Sequence, residues 1–198
     1  MIPTHTIPAT LPRGNSSGGA VSSPCLVAAT HPVQPGNAAV PASNSPAASV
    51  VGGFSTVAAL FVETGGSYYG LDGVDPWDEA RDARKYAGPW PVVAHPPCQL
   101  WGPFAAVNYA RWGGEHNRPG NDGGCFASAL SSVRRFGGVL EHPAATRAWA
   151  KHGLPRPLTS GWIKTPCGGW VCEVWQSAYG HRANKATWLY AFGMIPPE

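Results

Sequence analysis

The stretch Pro91-Val-Val-Ala-His-Pro-Pro-Cys98-Gln-Leu-Trp-Gly102 organises the chain. Its apolar run Val92–Ala94 predicts a short buried strand, and the prolines that follow end it because proline has no amide hydrogen for a sheet ladder. In an open α/β sheet, ligands bind outside the carboxyl ends of the strands. Cys98 therefore lies where chemistry is usually done, although a small buried cysteine in a proline turn explains this stretch equally well.

Composition places the chain among turn-rich intracellular proteins. Only 13% of its 198 residues are charged, and it has 25 glycines and 21 prolines. The net charge of +3 is too small to indicate nucleic-acid binding by itself. Five cysteines with irregular spacing do not suggest a disulfide framework, and there is no long apolar run. We expect a cytoplasmic protein without a membrane span.

Two regions differ in their content of large apolar side chains. Residues 1–49 are rich in Pro, Ala and Ser and lack the side chains that offset ordering entropy, so we predict a disordered tail. Residues 50–198 form the predicted α/β domain. Strands and helices alternate early in it and paired strands occur late. This order favours a Rossmann-like, mainly parallel sheet with an antiparallel edge.

The predicted elements place polar residues at strand ends. An apolar strand at 57–62 runs into a glycine turn ending at Gly66, which suits a nucleotide-like ligand but also suits a plain tight turn. A second strand, Val74–Trp77, contains Asp75, a candidate acceptor for ribose hydroxyls. The other predicted strands are Gly138–Pro143, Trp170–Trp175 and 187–192, and the predicted helices are 78–86, 104–112, Cys125–Phe136 and 144–152.

Cys98 and Glu141 are the only thiol and carboxyl pair in which both residues end predicted strands. A thiolate adds to C6 of a pyrimidine while a carboxyl group hydrogen-bonds or protonates N3, and C5 then accepts a carbon electrophile. A carboxyl in that role needs a raised pKa, which burial against Trp and Pro would supply for Glu141.

Three blocks in order carry a family resemblance: Ala-His-Pro-Pro-Cys-Gln-Leu-Trp-Gly at 94–102, Leu-Glu-His-Pro at 140–143, and the segment 176–187. They resemble the cytosine-C5 DNA methyltransferase superfamily, especially short methylase-like proteins of phages. The resemblance implies a Rossmann-like fold, S-adenosylmethionine as cofactor and DNA as partner. It makes Cys98 the nucleophile and Glu141 the contact to the target base.

The resemblance also implies a cofactor site, and the aromatic and cationic residues near the predicted strand ends suggest a substrate site. The cofactor site comprises Phe61, Glu63, Gly65, Gly66, Asp75 and Pro96. The substrate site comprises Pro97, Gln99, Trp101, His181 and Lys185. Trp101 is the expected pocket wall. The two cationic positions are phosphate contacts in this interpretation, and a solvated hairpin turn is an equal alternative.

Two other functions remain open. One is a non-catalytic nucleic-acid or protein-binding relative that kept the fold. The other is an enzyme that uses the same Cys/Glu pair on a free nucleotide. We predict no metal site, because Cys167 and Cys172 are separated by four residues and form a single pair, a weak pattern for zinc.

Overall fold

The computed structural model describes residues 56–159 and 161–196, which lie in one compact unit. The predicted tail at residues 1–49 lies outside the described residues. No helix in the described ranges is both long and apolar enough to cross a membrane.

The described residues form seven strands and three α-helices. The strands are β1 (Val57–Leu60), β2 (Val74–Trp77), β3 (Val92–Ala94), β4 (Gly138–Pro143), β5 (Ile163–Lys164), β6 (Trp170–Trp175) and β7 (Ala186–Phe192). The helices are α1 (Ala105–Trp112), α2 (Cys125–Phe136) and α3 (Arg147–Lys151). Single 3-10 turns occur at Ala83–Lys85, Glu115–Asn117 and Gln176–Tyr179.

All seven strands belong to one mixed sheet, with the order β2-β1-β3-β4-β7-β6-β5. Strands β2, β1, β3 and β4 are parallel, whereas β7 is antiparallel to both β4 and β6. The chain moves from β1 outward to β2 and then returns to the other side of β1 to form β3. The carboxyl ends of β1 and β3 therefore lie at a topological switch point, the usual ligand crevice of such sheets.

Helix α2 covers one face of the sheet, where it packs on β3, β4 and β7. Its apolar stripe includes Phe126, Leu130 and Val133, which are buried against sheet residues such as Ala94 and Leu140. Asp122 caps this helix, since its carboxylate accepts hydrogen bonds from the amides of Gly124 and Phe126 at 3.0 and 2.8 Å. The cap and the stripe together hold the amino end of α2 beside the sheet edge.

The sequence predicted most elements within a few residues, and the bounds of α2, β2, β4 and β6 agree with the prediction. The predicted helix at 78–86 is wrong, because only Ala83–Lys85 forms a 3-10 turn. Asp82 precedes this turn with φ of 55°, a left-handed conformation that interrupts a helix. The carboxylate of Asp82 caps this turn, since it accepts a hydrogen bond from the amide of Arg84 at 3.3 Å. The predicted loop 155–169 contains the short strand β5.

Candidate functional site

A cavity of about 410 Å³ opens at the carboxyl ends of β1, β2 and β3. Phe61 and Val62 line it from the end of β1, and Pro97 lines it from the turn after β3. Phe61 has φ of 60°, a left-handed conformation that non-glycine residues rarely adopt. Such strain is often retained where a ligand or reaction needs the geometry. The cavity and the strained residue both lie at the switch point.

Asp78 follows the end of β2 and fixes the loop after β1. One carboxylate oxygen accepts from the Thr64 hydroxyl at 2.7 Å and from the Tyr69 hydroxyl at 2.6 Å. The other oxygen accepts from the amide of Arg81 at 3.0 Å. The Tyr69 bond and then the other donors lower the pKa of Asp78 to about 2. This buried carboxylate lines the cavity as an anion and positions the glycine turn.

The cavity includes residues that the sequence analysis did not select. These are Asp78, Glu79, Asp82, Ala83, Arg84 and Cys125. Glu79 is exposed, and no hydrogen bond or ion pair ties its carboxylate to the rest of the described chain, so it is free to bind a ligand. Cys125 is the first residue of α2, and burial raises its pKa. The available signal for Glu79 was its position two residues after the strand that ends in Trp77.

Only some of the residues predicted to bind the cofactor line the cavity. Phe61 lines the cavity, whereas Glu63, Gly65 and Gly66 form the turn beyond it. In that turn the amide of Gly66 donates to the carbonyl of Glu63 at 2.9 Å. Pro96 does not line the cavity; its neighbour Pro97 does.

Asp75 lies inside β2, level with Ala58 of β1, and not at the strand end. Its carboxylate binds Arg81 at 2.6 Å and accepts from the indole of Trp77 at 2.8 Å. These contacts lower the pKa of Asp75 although burial acts in the opposite direction. The Asp75 carboxylate is therefore held by contacts within the protein, and the acids directly after β2 that line the cavity are Asp78 and Glu79.

Cys98 lies in a turn directly after Pro97, and its thiol is half-buried. The carbonyl of Cys98 accepts from the amide of Trp101 at 3.0 Å, which closes the turn. The Trp101 side chain is buried and donates from its indole to Asp122 at 2.9 Å. Trp101 thus ties the turn to the cap of α2 and does not line the cavity beside Pro97.

The register of β3 and β4 brings His95 and Glu141 together. Ala94 pairs with Leu140, so the next residue of each parallel strand lies at the same level of the sheet. Leu140 and His142 face α2, and His142 contacts Phe126 with ring centroids 5.2 Å apart. Glu141 therefore points to the opposite face. There its Oε2 lies 3.3 Å from Nδ1 of His95.

The second oxygen of Glu141 also has partners. Gln176 Nε2 donates to Oε1 at 3.3 Å, and Nζ of Lys185 lies 4.0 Å from the same atom. Gln176 follows β6 and Lys185 precedes β7, so four neighbouring strands contribute to this cluster. We define the Glu141 cluster as Tyr68, His95, Glu141, Gln176 and Lys185.

The pKa of Glu141 is lowered, contrary to the sequence-based expectation. Burial is the largest single effect and raises it, but the hydrogen bond from His95 and the charges of Lys185, His95 and His142 together outweigh burial. The expectation counted burial and omitted the cationic and hydrogen-bonding neighbours. Glu141 is an ionised acceptor at neutral pH.

Tyr68 completes the cluster from the loop after β1. Its hydroxyl lies 2.6 Å from Nε2 of His95, and the two rings are 5.5 Å apart between centroids. Burial and the nearby charge of Glu141 raise the pKa of Tyr68, so its phenol stays protonated at neutral pH. The sequence analysis did not select Tyr68, because nothing in the sequence shows that its loop reaches β3.

The remaining substrate candidates lie at different distances from the cluster. Lys185 belongs to it, whereas His181 is exposed and its Nδ1 accepts from the amide of Ala183 at 3.0 Å. Within residues 56–159 and 161–196, no side-chain hydrogen bond or ion pair joins Gln99 to the cluster. In the part of the chain that the structure describes, no group of three or more His, Cys, Asp or Glu side chains is arranged to hold a metal. Cys172 is buried in β6, and burial raises its pKa to about 11.

No protein-family model, curated protein or solved structure matches the chain. The methyltransferase resemblance therefore stays a prediction that depends on the three sequence blocks.

Proposed function

We propose that this protein is an S-adenosylmethionine-dependent cytosine-C5 methyltransferase that acts on DNA. The observation that carries the proposal is the cavity at the switch point, one of whose walls is Pro97, the residue before Cys98. A thiol is thereby adjacent in sequence to a site suited to a nucleotide-like cofactor. Glu141 lies one strand further along the same sheet edge.

The residues around the cavity fit the proposed cofactor. A volume of about 410 Å³ lies in the range of small-ligand pockets. Glu79 offers a free carboxylate for ribose hydroxyls at the end of β2, as is usual in nucleotide-binding sheets. Phe61 and Val62 offer an apolar wall for the adenine ring. The cofactor, when bound, supplies an electrophilic methyl group.

In the proposed mechanism, the thiolate of Cys98 adds to C6 of cytosine and makes C5 nucleophilic. Glu141 is an ionised acceptor and binds the exocyclic amino group of the base, which is a hydrogen-bond donor. Two carboxylate oxygens have about four lone-pair sites, and the three contacts of Glu141 leave one of them for the base. Lys185, beside Glu141, offsets negative charge near the substrate.

The test is transfer of a labelled methyl group from S-adenosylmethionine to DNA. The wild-type protein should label cytosine at C5, and the C98A variant should not. The matched control is C172A, which removes a buried thiol in β6, a strand separated from β3 by β4 and β7. No labelling by the wild-type protein, or equal labelling by C98A, would contradict the proposal.

A second candidate is a non-catalytic relative that binds nucleic acid or protein. The engagement of both Glu141 oxygens by partners within the protein favours it. Calorimetry separates the two candidates, since the methyltransferase must bind S-adenosylmethionine. No heat of binding at millimolar ligand would favour the non-catalytic relative.

A further inference from the structure

Tyr68, His95 and Glu141 form a continuous chain of hydrogen bonds. Tyr68 Oη is 2.6 Å from Nε2 of His95, and Nδ1 of His95 is 3.3 Å from Oε2 of Glu141. The three residues come from the loop after β1, the end of β3 and strand β4. All three side chains are partly exposed, so this row of hydrogen bonds reaches the protein surface.

The direction of these hydrogen bonds follows from the chemistry of the groups. An ionised carboxylate only accepts, so Nδ1 of His95 must carry a proton. In the neutral imidazole, Nε2 then has a lone pair and accepts from the Tyr68 hydroxyl. The lone pairs of Tyr68 Oη remain available to accept a proton from a substrate. An acceptor–donor order of this kind makes tyrosine a base, since its own proton can pass to histidine.

We propose that Tyr68 is the base that removes the C5 proton in the last step and passes its own proton to His95, and that Glu141, besides binding the target base, positions the His95 ring. This inference rests on the proposed function. It goes beyond the Cys98 and Glu141 pair by naming where the proton goes. The Nδ1–H bond to Glu141 orients the imidazole and stabilises the imidazolium that forms.

The step begins with cytosine that carries both hydrogen and methyl at C5 and is bonded through C6 to Cys98. The C5–H bond breaks, and its electron pair forms the C5–C6 double bond. The C6–S bond breaks, and its electron pair returns to sulfur as thiolate. The proton moves to Tyr68 Oη, whose own proton moves to Nε2 of His95. The imidazolium later gives one proton to water.

The test uses DNA with tritium at C5 of cytosine, S-adenosylmethionine and the full-length Y68F variant. Tritium release should be slowed by about 100-fold or more, the usual contribution of a general base. DNA containing 5-fluorocytosine should still form the covalent adduct with Y68F, because fluorine blocks the reaction at this step. The matched control is Y86F, which loses a hydroxyl that donates to the backbone carbonyl of Trp90 and belongs to no part of the Glu141 cluster. Y86F should release tritium at the wild-type rate.

The outcomes distinguish this inference from the proposed function. If Y68F releases tritium as fast as the wild type, Tyr68 is not the base, and the methyltransferase proposal stands. If the wild-type protein itself forms no adduct, the proposed function is wrong, and so is the role of Tyr68 that depends on it. Nitrogen-15 NMR of His95 provides a readout without substrate. The Nδ1–H form supports the relay, and the Nε2–H form overturns it.

Discussion

Nδ1 of His95 lies 3.3 Å from Oε2 of Glu141 although 46 positions separate the two residues. The parallel register of Ala94 with Leu140 causes this approach, since each strand continues by one residue to the same level. The pair joins the strand that precedes Cys98 to the next strand of the sheet. The contribution of this pair to the free energy of unfolding can be measured separately from its role in the proposed reaction.

The E141Q variant should lower the free energy of unfolding at pH 7 by about 1–2 kcal/mol, because the hydrogen bond from His95 loses its charged acceptor. The folded-state pKa of Glu141 is below its ordinary value of 4.5. The unfolded chain therefore binds more protons between the two values, and the stabilisation by Glu141 falls as pH drops below 4.5. Urea denaturation of both proteins from pH 7 down to about pH 3 measures this difference. The exposed E115Q should show little change, and a constant difference for E141Q across this range would contradict the lowered pKa.

His142 should make the protein less stable in acid. Its ring is buried, and burial lowers its pKa to about 4, although the charge of Glu141 and the nearby backbone of Pro97 act in the opposite direction. The unfolded state binds the extra proton between pH 6.5 and 4, so stability decreases as pH falls through this window. The shift corresponds to at most about 3 kcal/mol.

The H142F variant removes this proton linkage and keeps an aromatic ring beside Phe126 and Trp149. Thermal unfolding at pH 7 and pH 5 should show a smaller loss of stability for H142F than for the wild type. An equal loss in both proteins would place the acid sensitivity elsewhere.

Binding of S-adenosylmethionine should depend on Glu79 more than on Glu63. Glu79 lines the cavity, and Glu63 lies in the turn beyond it. Loss of a charged hydrogen bond to ribose in E79Q should weaken binding by about tenfold or more. E63Q should bind as the wild type does. Isothermal titration calorimetry measures the affinity of both variants. A larger effect of E63Q would indicate that the cofactor binds at the turn predicted from the sequence and not in the cavity.

Asp122 should be important for stability because its carboxylate binds both the amino end of α2 and the side chain of Trp101. It caps α2 through the amides of Gly124 and Phe126, and it accepts from the buried indole of Trp101. The D122A variant should lose about 2–3 kcal/mol, since it removes a helix cap and leaves a buried donor without a partner. The exposed D72A should remain within about 0.5 kcal/mol of the wild type in urea denaturation.

The spacing of apolar residues predicted those helices and strands whose bounds are set by residues within the segment itself. Helix α2 has apolar residues at helical spacing and ends at glycine, and strand β4 is bounded by glycine and proline, so both were found with their observed bounds. The predicted helix at 78–86 failed because Asp82 adopts a left-handed conformation and Arg81 pairs with Asp75. Neither effect is visible in a pattern of apolar residues.

The candidate site was predicted only in part, for a related reason. Cys98 follows the short strand β3 and Glu141 lies in β4, and both stretches run from apolar residues into a His-Pro pair, a similarity that is local in sequence. The cavity residue Glu79 depends on the order of β2, β1 and β3 in the sheet. Tyr68 depends on how the loop after β1 folds over β3. Both relationships arise from contacts between distant segments.

The most direct test of Cys98 as the nucleophile is intact-mass measurement of the protein after incubation with S-adenosylmethionine and DNA that contains 5-fluorocytosine. The wild-type protein should gain the mass of the DNA plus one methyl group, and peptide mapping should place the bond at Cys98. The C98A variant should gain nothing. A wild-type protein that stays unmodified, or an adduct at another cysteine, would contradict the assignment of Cys98 as the nucleophile.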